Sequence, residues 1–146
     1  MKPHFTVYDR HGAPYLKRWW IIPRNRWLNV YLHKFEGDDD DRALHDHPWH
    51  SLSLCLSGGY WEILRHGISQ AIMHRRKPWR LVYRRPETAH RILLHRNADG
   101  SARHAWTLFL TGPKVREWGF HFRSGWLPWQ QAVEPDNPGK MREGIE

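Results

Sequence analysis

Short runs of alternating apolar and polar residues, each ended by glycine or proline, constrain this chain more than any other feature. The run at 51–56 (SLSLCL) has a strict period of two and is followed by Gly58 and Gly59. A period of two places successive side chains on opposite faces of a strand, and a glycine pair favours a tight hairpin. Helical periodicity is hard to find. The pattern therefore predicts an all-β fold.

Similar runs predict further strands, and the stretches between them predict the organisation of the chain. The predicted strands lie at 29–35, 51–56, 60–64, 79–83, 89–95, 104–111 and 118–122. Many short strands with Gly/Pro turns are typical of an antiparallel sandwich or barrel. We divide the chain into an N-terminal arm with short strands at 1–27, a barrel at 28–131 and a loose tail at 132–146. The charged run at 36–42 lacks the alternating ligands and glycine turn of a cation site and predicts a solvated loop.

Composition limits which cellular compartment and which binding partners we expect for this protein. No stretch reaches the roughly 18 apolar residues of a membrane span, the N-terminus lacks the apolar run of a signal peptide, and Cys55 is the only cysteine. We therefore expect a cytoplasmic protein without a membrane partner. The formal net charge of +8 suits either nucleic acid or a pocket for an acidic small molecule. Nucleic acid is not favoured, because no known binding motif is present.

Histidines cluster in the segment HDHPWH at 45–50. His45 and His47 are two apart, so on an extended chain both aim at one point while Asp46 aims away. Neutral imidazole is the commonest protein ligand for zinc, iron, copper and nickel. His90, at the start of a later strand, is the best candidate for a third ligand. The three histidines predict a metal site; the alternative is polar residues that hydrogen-bond across the barrel.

These residues resemble the two metal-binding motifs of cupins, which are small jelly-roll barrels. The first motif, H-x-H-x3-E-x6-G, is matched by His45, His47 and a closing glycine, with Ser51 at the glutamate position. Pro86 and His90 match the second motif loosely. The stretches HDHPW, GGYWE and WTLFLTGP also resemble small uncharacterised cupin-like proteins of bacteria and phages. The resemblance implies a single-domain jelly-roll β-barrel (double-stranded β-helix) that pairs into a homodimer.

The resemblance also implies a class of chemistry. Three histidines without the glutamate resemble the site of thiol dioxygenases such as cysteine dioxygenase, and of some diketone-cleaving dioxygenases. This implies an enzyme with a mononuclear non-haem Fe(II) that acts on a small anionic thiol, diketone or carboxylate, with Ni, Zn or Mn as alternative metals. A sugar epimerase or isomerase and a non-catalytic module binding a small molecule or nucleic acid stay open. Ser51 or His50 could replace the missing glutamate.

Other side chains on the predicted strands are candidates for the pocket. An arginine lining the barrel would hold the carboxylate of an anionic substrate, and the alternation alone does not choose among the arginines. The candidates for substrate binding are Arg80, Arg84, Arg91, Tyr83 and Trp49. On the run at 51–56, the alternation places Leu52, Leu54 and Leu56 against the opposite sheet or against a dimer partner.

Overall fold

The alternating runs form two six-stranded antiparallel sheets. In the computed structural model, which describes residues 1–40 and 42–145, the first sheet contains, in spatial order, β1 (Phe5–Tyr8), β2 (Pro14–Trp20), β3 (Asn29–Phe35), β10 (Ala105–Thr111), β5 (Ser51–Ser57) and β8 (Leu81–Arg84). The second contains β12 (Gly125–Pro128), β11 (Gly119–Phe122), β4 (Leu44–His45), β9 (His90–Leu94), β6 (Tyr60–His66) and β7 (Gln70–Arg76). Helix α1 (Trp129–Ala132) leads into a small sheet of β13 (Val133–Glu134) and β14 (Asn137–Met141). The predicted all-β class is confirmed.

The predicted strands are present, with differences at their ends. The run at 79–83 becomes a strand only from Leu81, because Trp79 has a φ of +63°, which is left-handed backbone. Strand β7 was not predicted, since its side chains are almost all exposed and show no alternation. It exists through its backbone pairing with β6. The hairpin at Gly58 is confirmed in detail: its φ is +82°, and a Cβ there would lie 2.2 Å from a backbone oxygen.

Both ends of the chain, predicted as an arm and a loose tail, pack into the fold. Strands β1 and β2 form one edge of the first sheet, and Leu16 belongs to the main core cluster. In the predicted tail, Val133 and Met141 pair across β13 and β14 and are 2% and 3% exposed. The high content of Pro, Gly and charge concealed these few well-spaced apolar residues. Glu146, the last residue of the predicted tail, lies outside the described residues.

The acidic run at 36–42 is not a solvated loop where it is described. Asp38 and Asp39 each accept a hydrogen bond of 2.7 Å from a backbone N–H of β9. Strand β4 pairs with β9 at a single residue, so the next N–H groups of β9 lack a strand partner, and carboxylates take that place. Asp41 lies outside the described residues. The loop is thereby fixed to the sheet that carries the histidines.

The two sheets enclose a polar interior rather than a fully apolar core. On β5, Ser51, Ser53 and Cys55 are buried, whereas the alternating leucines are only half-buried. The prediction that these leucines face the opposite sheet is therefore wrong, and the dimer-partner alternative stays a prediction. The buried polar side chains of the inner strand faces are His33, Ser51, Ser53, Glu62, Arg84, His90, Thr107 and Thr111. Such an interior suits a binding cavity better than a packing core.

The described part of the chain contains no helix that is both long and apolar enough to span a membrane.

Candidate metal centre

Three histidines meet at one point of the interior. His45 ends β4 and lies directly opposite His90 of β9, while His47 follows two residues later. Their candidate ligand atoms all lie within 4.8 Å of one another, and the Nε2 atoms of His47 and His90 are 2.9 Å apart. The structure thus brings together the three histidines that the sequence analysis selected.

Asp46 explains why its two neighbours can point inward together. Its carboxylate is completely buried and faces the other way, where it accepts hydrogen bonds of 2.8 Å from the Gly119 N–H and 3.0 Å from Trp126 Nε1. It also contacts His121 and Arg116 at 2.8 Å and 3.0 Å. Burial opposes ionisation, but these hydrogen bonds and the Arg116 charge lower the pKa of Asp46. A charged anchor therefore fixes the strand that carries the first two histidines.

His47 is held by backbone and ring contacts. Its N–H donates a 3.0 Å hydrogen bond to the Pro86 carbonyl. Its ring stacks on Trp49, with centroids 4.7 Å apart and planes 11° apart. Trp49, a predicted substrate-binding residue, lines the cavity beside the histidines. The stacked pair restricts how the imidazole can rotate.

Glu62 is a functional candidate that the sequence analysis missed. It lies on β6, is completely buried, and places Oε1 2.7 Å from His90 Nδ1. The contact is close but lacks the direction of a hydrogen bond, so His90 Nδ1 has no well-aimed partner among the described residues. A carboxylate beside one ring nitrogen favours a proton there and leaves Nε2 free for a ligand. The signal in the sequence was a single charge at an inward position of the run YWEIL.

Two arginines neutralise Glu62. Arg84 donates from Nε and, at 2.9 Å, from Nη2, and Arg76 donates from Nε at 2.6 Å. Arg84 is itself buried and also donates to Ser53 Oγ at 2.7 Å. Burial alone would raise the pKa of Glu62, but contacts with His90 and Arg84 hold it well below its ordinary value. Glu62 is therefore a carboxylate bound to arginine, not a free ligand.

The His45 and His47 rings are neutral at physiological pH. Burial, followed by the electrostatic effect of the neighbouring His90, lowers the pKa of His45 to about 3. Burial and the neighbouring histidines lower the pKa of His47 well below its ordinary value. Two ligands at right angles, each about 2.1 Å from an ion, are about 3 Å apart, and the Nε2 atoms of His47 and His90 are 2.9 Å apart. The donor set therefore fits a divalent transition metal.

The two residues considered as replacements for the motif glutamate lie apart from the cluster. Ser51 is buried, its Oγ has no hydrogen-bond partner among the described residues, and it does not line the cavity. His50 is exposed and forms a hydrogen bond to the Tyr83 hydroxyl. Among the described residues that carry His, Cys, Asp or Glu ligand atoms, the cluster has three members.

The histidines form part of the wall of a cavity of about 1110 Å³ between the two sheets. Three of the predicted substrate-binding residues line this cavity: Trp49, Arg84 and Arg91. The guanidinium group of Arg84 is already hydrogen-bonded to Glu62. Arg80 and Tyr83 are exposed and are absent from the described residues of its lining. The cavity slightly exceeds the usual size of ligand pockets, about 300–1,000 Å³.

Comparison with known proteins shows a shared fold. No family model matches the chain, and no curated protein matches its sequence. Similar solved structures include FeII HppE (TM-score 0.57, 12% identity, 72% of this chain and 54% of that one) and the DMSP lyase DddQ of Ruegeria pomeroyi (0.54, 13%, 80% and 56%). A third is an uncharacterized conserved protein with a double-stranded beta-helix domain from Klebsiella pneumoniae (0.53, 14%, 77% and 90%). The chain spans just over half the length of the first two. At these identities the likeness shows the fold alone.

Proposed function

Because the chain has the double-stranded β-helix fold of cupins, we propose that it is a metal-dependent enzyme, and more narrowly a mononuclear non-haem iron(II) dioxygenase that acts on a small anionic substrate. The observation that carries the proposal is the cluster of His45, His47 and His90 at the wall of a cavity large enough for a substrate. Similar folds with metal chemistry support it, since HppE was solved in an iron(II) form.

The charge of the donor set favours an anionic substrate. Three neutral imidazoles leave the full double charge of a bound divalent ion uncompensated. Glu62, the carboxylate beside His90, is neutralised by arginine, and Asp39, 4.0 Å from His45, accepts a hydrogen bond from β9. Iron(II) held in this way supplies Lewis acidity and one-electron redox chemistry. A thiolate, enolate or carboxylate would then be drawn to the site by charge. Imidazole also suits zinc and nickel, so the identity of the metal is decided by measurement.

The residues of the chain orient the ligands and shape the site. Glu62 favours the His90 tautomer whose Nε2 lone pair faces the other histidines. Trp49 and Phe109 line the cavity beside His47, with Phe109 edge-on to Trp49 at 5.5 Å. These rings exclude water from one side of the histidines, which strengthens electrostatic interactions with a bound anion.

Elemental analysis of protein purified without chelators or a histidine tag tests the proposal. We expect about one equivalent of iron per chain, with at least a tenfold loss in His47→Ala, because three ligands become two. His104→Ala is the matched control, since His104 is exposed and absent from the cluster. Oxygen uptake with thiols and diketones then tests the dioxygenase assignment. Zinc or nickel at full occupancy without oxygen uptake would reject it, and failure to bind any metal after reconstitution would reject the metal enzyme.

A sugar epimerase or isomerase is the second candidate, and one contact favours it. His90 and Glu62 form a histidine–carboxylate pair at 2.7 Å, which is the arrangement of a general base and the group that orients it. Activity of the fully chelated protein on a sugar would support this candidate, and loss of that activity on chelation would exclude the metal-free version.

A further inference from the structure

We propose that Arg18 anchors the carboxylate group of the substrate in the cavity. The inference deepens the proposed function, and it rests on that function only in taking this cavity as the substrate site. It concerns an arginine of the segment predicted as an arm, which the sequence analysis did not select.

The position of Arg18 is set by the register of the first sheet. Arg18 on β2 pairs with His33 on β3, which pairs in turn with Thr107 on β10. Both Arg18 and His33 line the cavity that contains the histidine cluster. Arg18 Nε donates a 2.8 Å hydrogen bond to His33 Nε2, and its guanidinium carbon lies 4.6 Å from the centre of the Tyr31 ring. These two contacts hold the plane of the guanidinium group within the cavity wall.

The charge of Arg18 lacks a compensating carboxylate. Its one hydrogen bond uses Nε, and its terminal nitrogens have no hydrogen-bond or ion-pair partner among the described residues. His33 cannot compensate, because burial and the Arg18 charge lower its pKa well below its ordinary value and keep it neutral. Arg84, a buried arginine that also lines the cavity, is by contrast paired with Glu62. A charge that is partly removed from solvent and has no partner raises the free energy of the folded protein, and a bound anion would offset that cost.

Of the five acidic side chains that line the cavity, four form hydrogen bonds or ion pairs elsewhere, and the fifth, Glu134, forms no ion pair with Arg18 among the described residues. Asp38 and Asp39 accept hydrogen bonds from β9, and Asp40 forms an ion pair with Arg42 at 2.8 Å. None of them forms an ion pair with Arg18 among the residues that the structure describes. The terminal N–H groups of Arg18 are therefore left for a ligand. Two parallel N–H donors match the two oxygens of a carboxylate.

The anchor and the histidines line the same cavity, with Phe109 between them. His33 is 5.0 Å from the Phe109 ring, and that ring is 6.3 Å from His47. A substrate with a carboxylate at one end and a metal-binding group at the other, long enough to pass the Phe109 ring, would therefore contact Arg18 and the cluster together.

Ligand-detected NMR on the metal-free protein tests the anchor, with butyrate and its uncharged isostere butyramide as probes. We expect wild type to bind butyrate at least tenfold more tightly than butyramide, because only the carboxylate pairs with the guanidinium. Arg18→Met should abolish this preference. The matched control is Arg80→Met, which removes an exposed arginine outside the described lining and should keep the preference of wild type.

Each outcome decides the inference separately from the proposed function. Equal binding of the two probes to wild type, or an unchanged preference in Arg18→Met, would overturn it. If Arg18→Met does not fold, Arg18→Lys keeps the charge but loses the paired donors: a preference reduced several-fold supports the anchor, and an unchanged one overturns it. Because the protein is metal-free, a preference that depends on Arg18 would stand even if elemental analysis found no metal.

Discussion

Replacing Glu62 with glutamine tests the buried charge network behind the metal centre. Glu62→Gln preserves the volume of the side chain but removes the negative charge that faces Arg84, Arg76 and His90. The side chain of Arg84 is 4% exposed, whereas that of Arg76 is 21% exposed and reaches solvent. The uncompensated charge of Arg84 therefore dominates the expected effect.

The magnitude follows from removing one member of a buried pair. Breaking such a pair costs about 3–5 kcal/mol, because the partner charge stays buried and unpaired. The pKa of Glu62 is held well below its ordinary value, so this contribution is complete above the unfolded carboxyl value of about 4.3 and is lost only as pH falls through the lowered one. Weaker orientation of His90 should also lower metal affinity by about 10–100-fold.

Urea unfolding of the metal-free protein and a chelator competition measure the two effects. Glu87→Gln is the control, since Glu87 is 62% exposed and contacts Arg85 at 3.6 Å; it should change the free energy of unfolding by less than about 0.5 kcal/mol. The double variant Glu62→Leu with Arg84→Met should recover much of the loss, because no charge stays buried. A loss below about 1 kcal/mol in Glu62→Gln would refute the reasoning.

Three further predictions use other features of the interior and the surface. Ser51→Ala should change the free energy of unfolding little, because the buried Ser51 Oγ has no partner among the described residues. Ser53→Ala should lower the free energy of unfolding by about 1–3 kcal/mol, because it removes the acceptor of a hydrogen bond from the buried Arg84. Equal losses for the two variants in urea unfolding would contradict this. The metal-free protein should lose stability as pH falls below about 6.5, since the pKa of His45 is about 3 when folded; each such histidine contributes about 1.4 kcal/mol per pH unit. Asp39, with a pKa of about 6, opposes one histidine below that pH, and His45→Gln should flatten the urea profile between about pH 5 and 7. Light scattering should show a homodimer that Leu81→Glu converts to a monomer, because Leu81 is 66% exposed on the edge strand β8 beside half-buried leucines of β5; a monomeric wild type would contradict it.

Local alternation predicted most of the strands and two of the three histidines of the candidate centre. The period of two requires His45 and His47 to share a face, and the structure confirms that they do while Asp46 lies opposite. Alternation also showed that β5 has two distinct faces. It did not show which face is inside, because polar residues line a cavity as readily as a surface.

Contacts between distant strands decided the rest. His90 lies against Glu62 because β9 pairs with β6, and Arg18 lines the same cavity because β2 pairs with β3. The prediction of a solvated acidic loop was wrong for the same reason, because the carboxylates of the loop accept hydrogen bonds from a strand more than fifty residues away. Alternation and turns can be read from the amino-acid sequence, because the backbone geometry behind them is local. Which charges meet, and which charge stays unpaired, depends on strand order and register, and these are set by the packing of the whole chain.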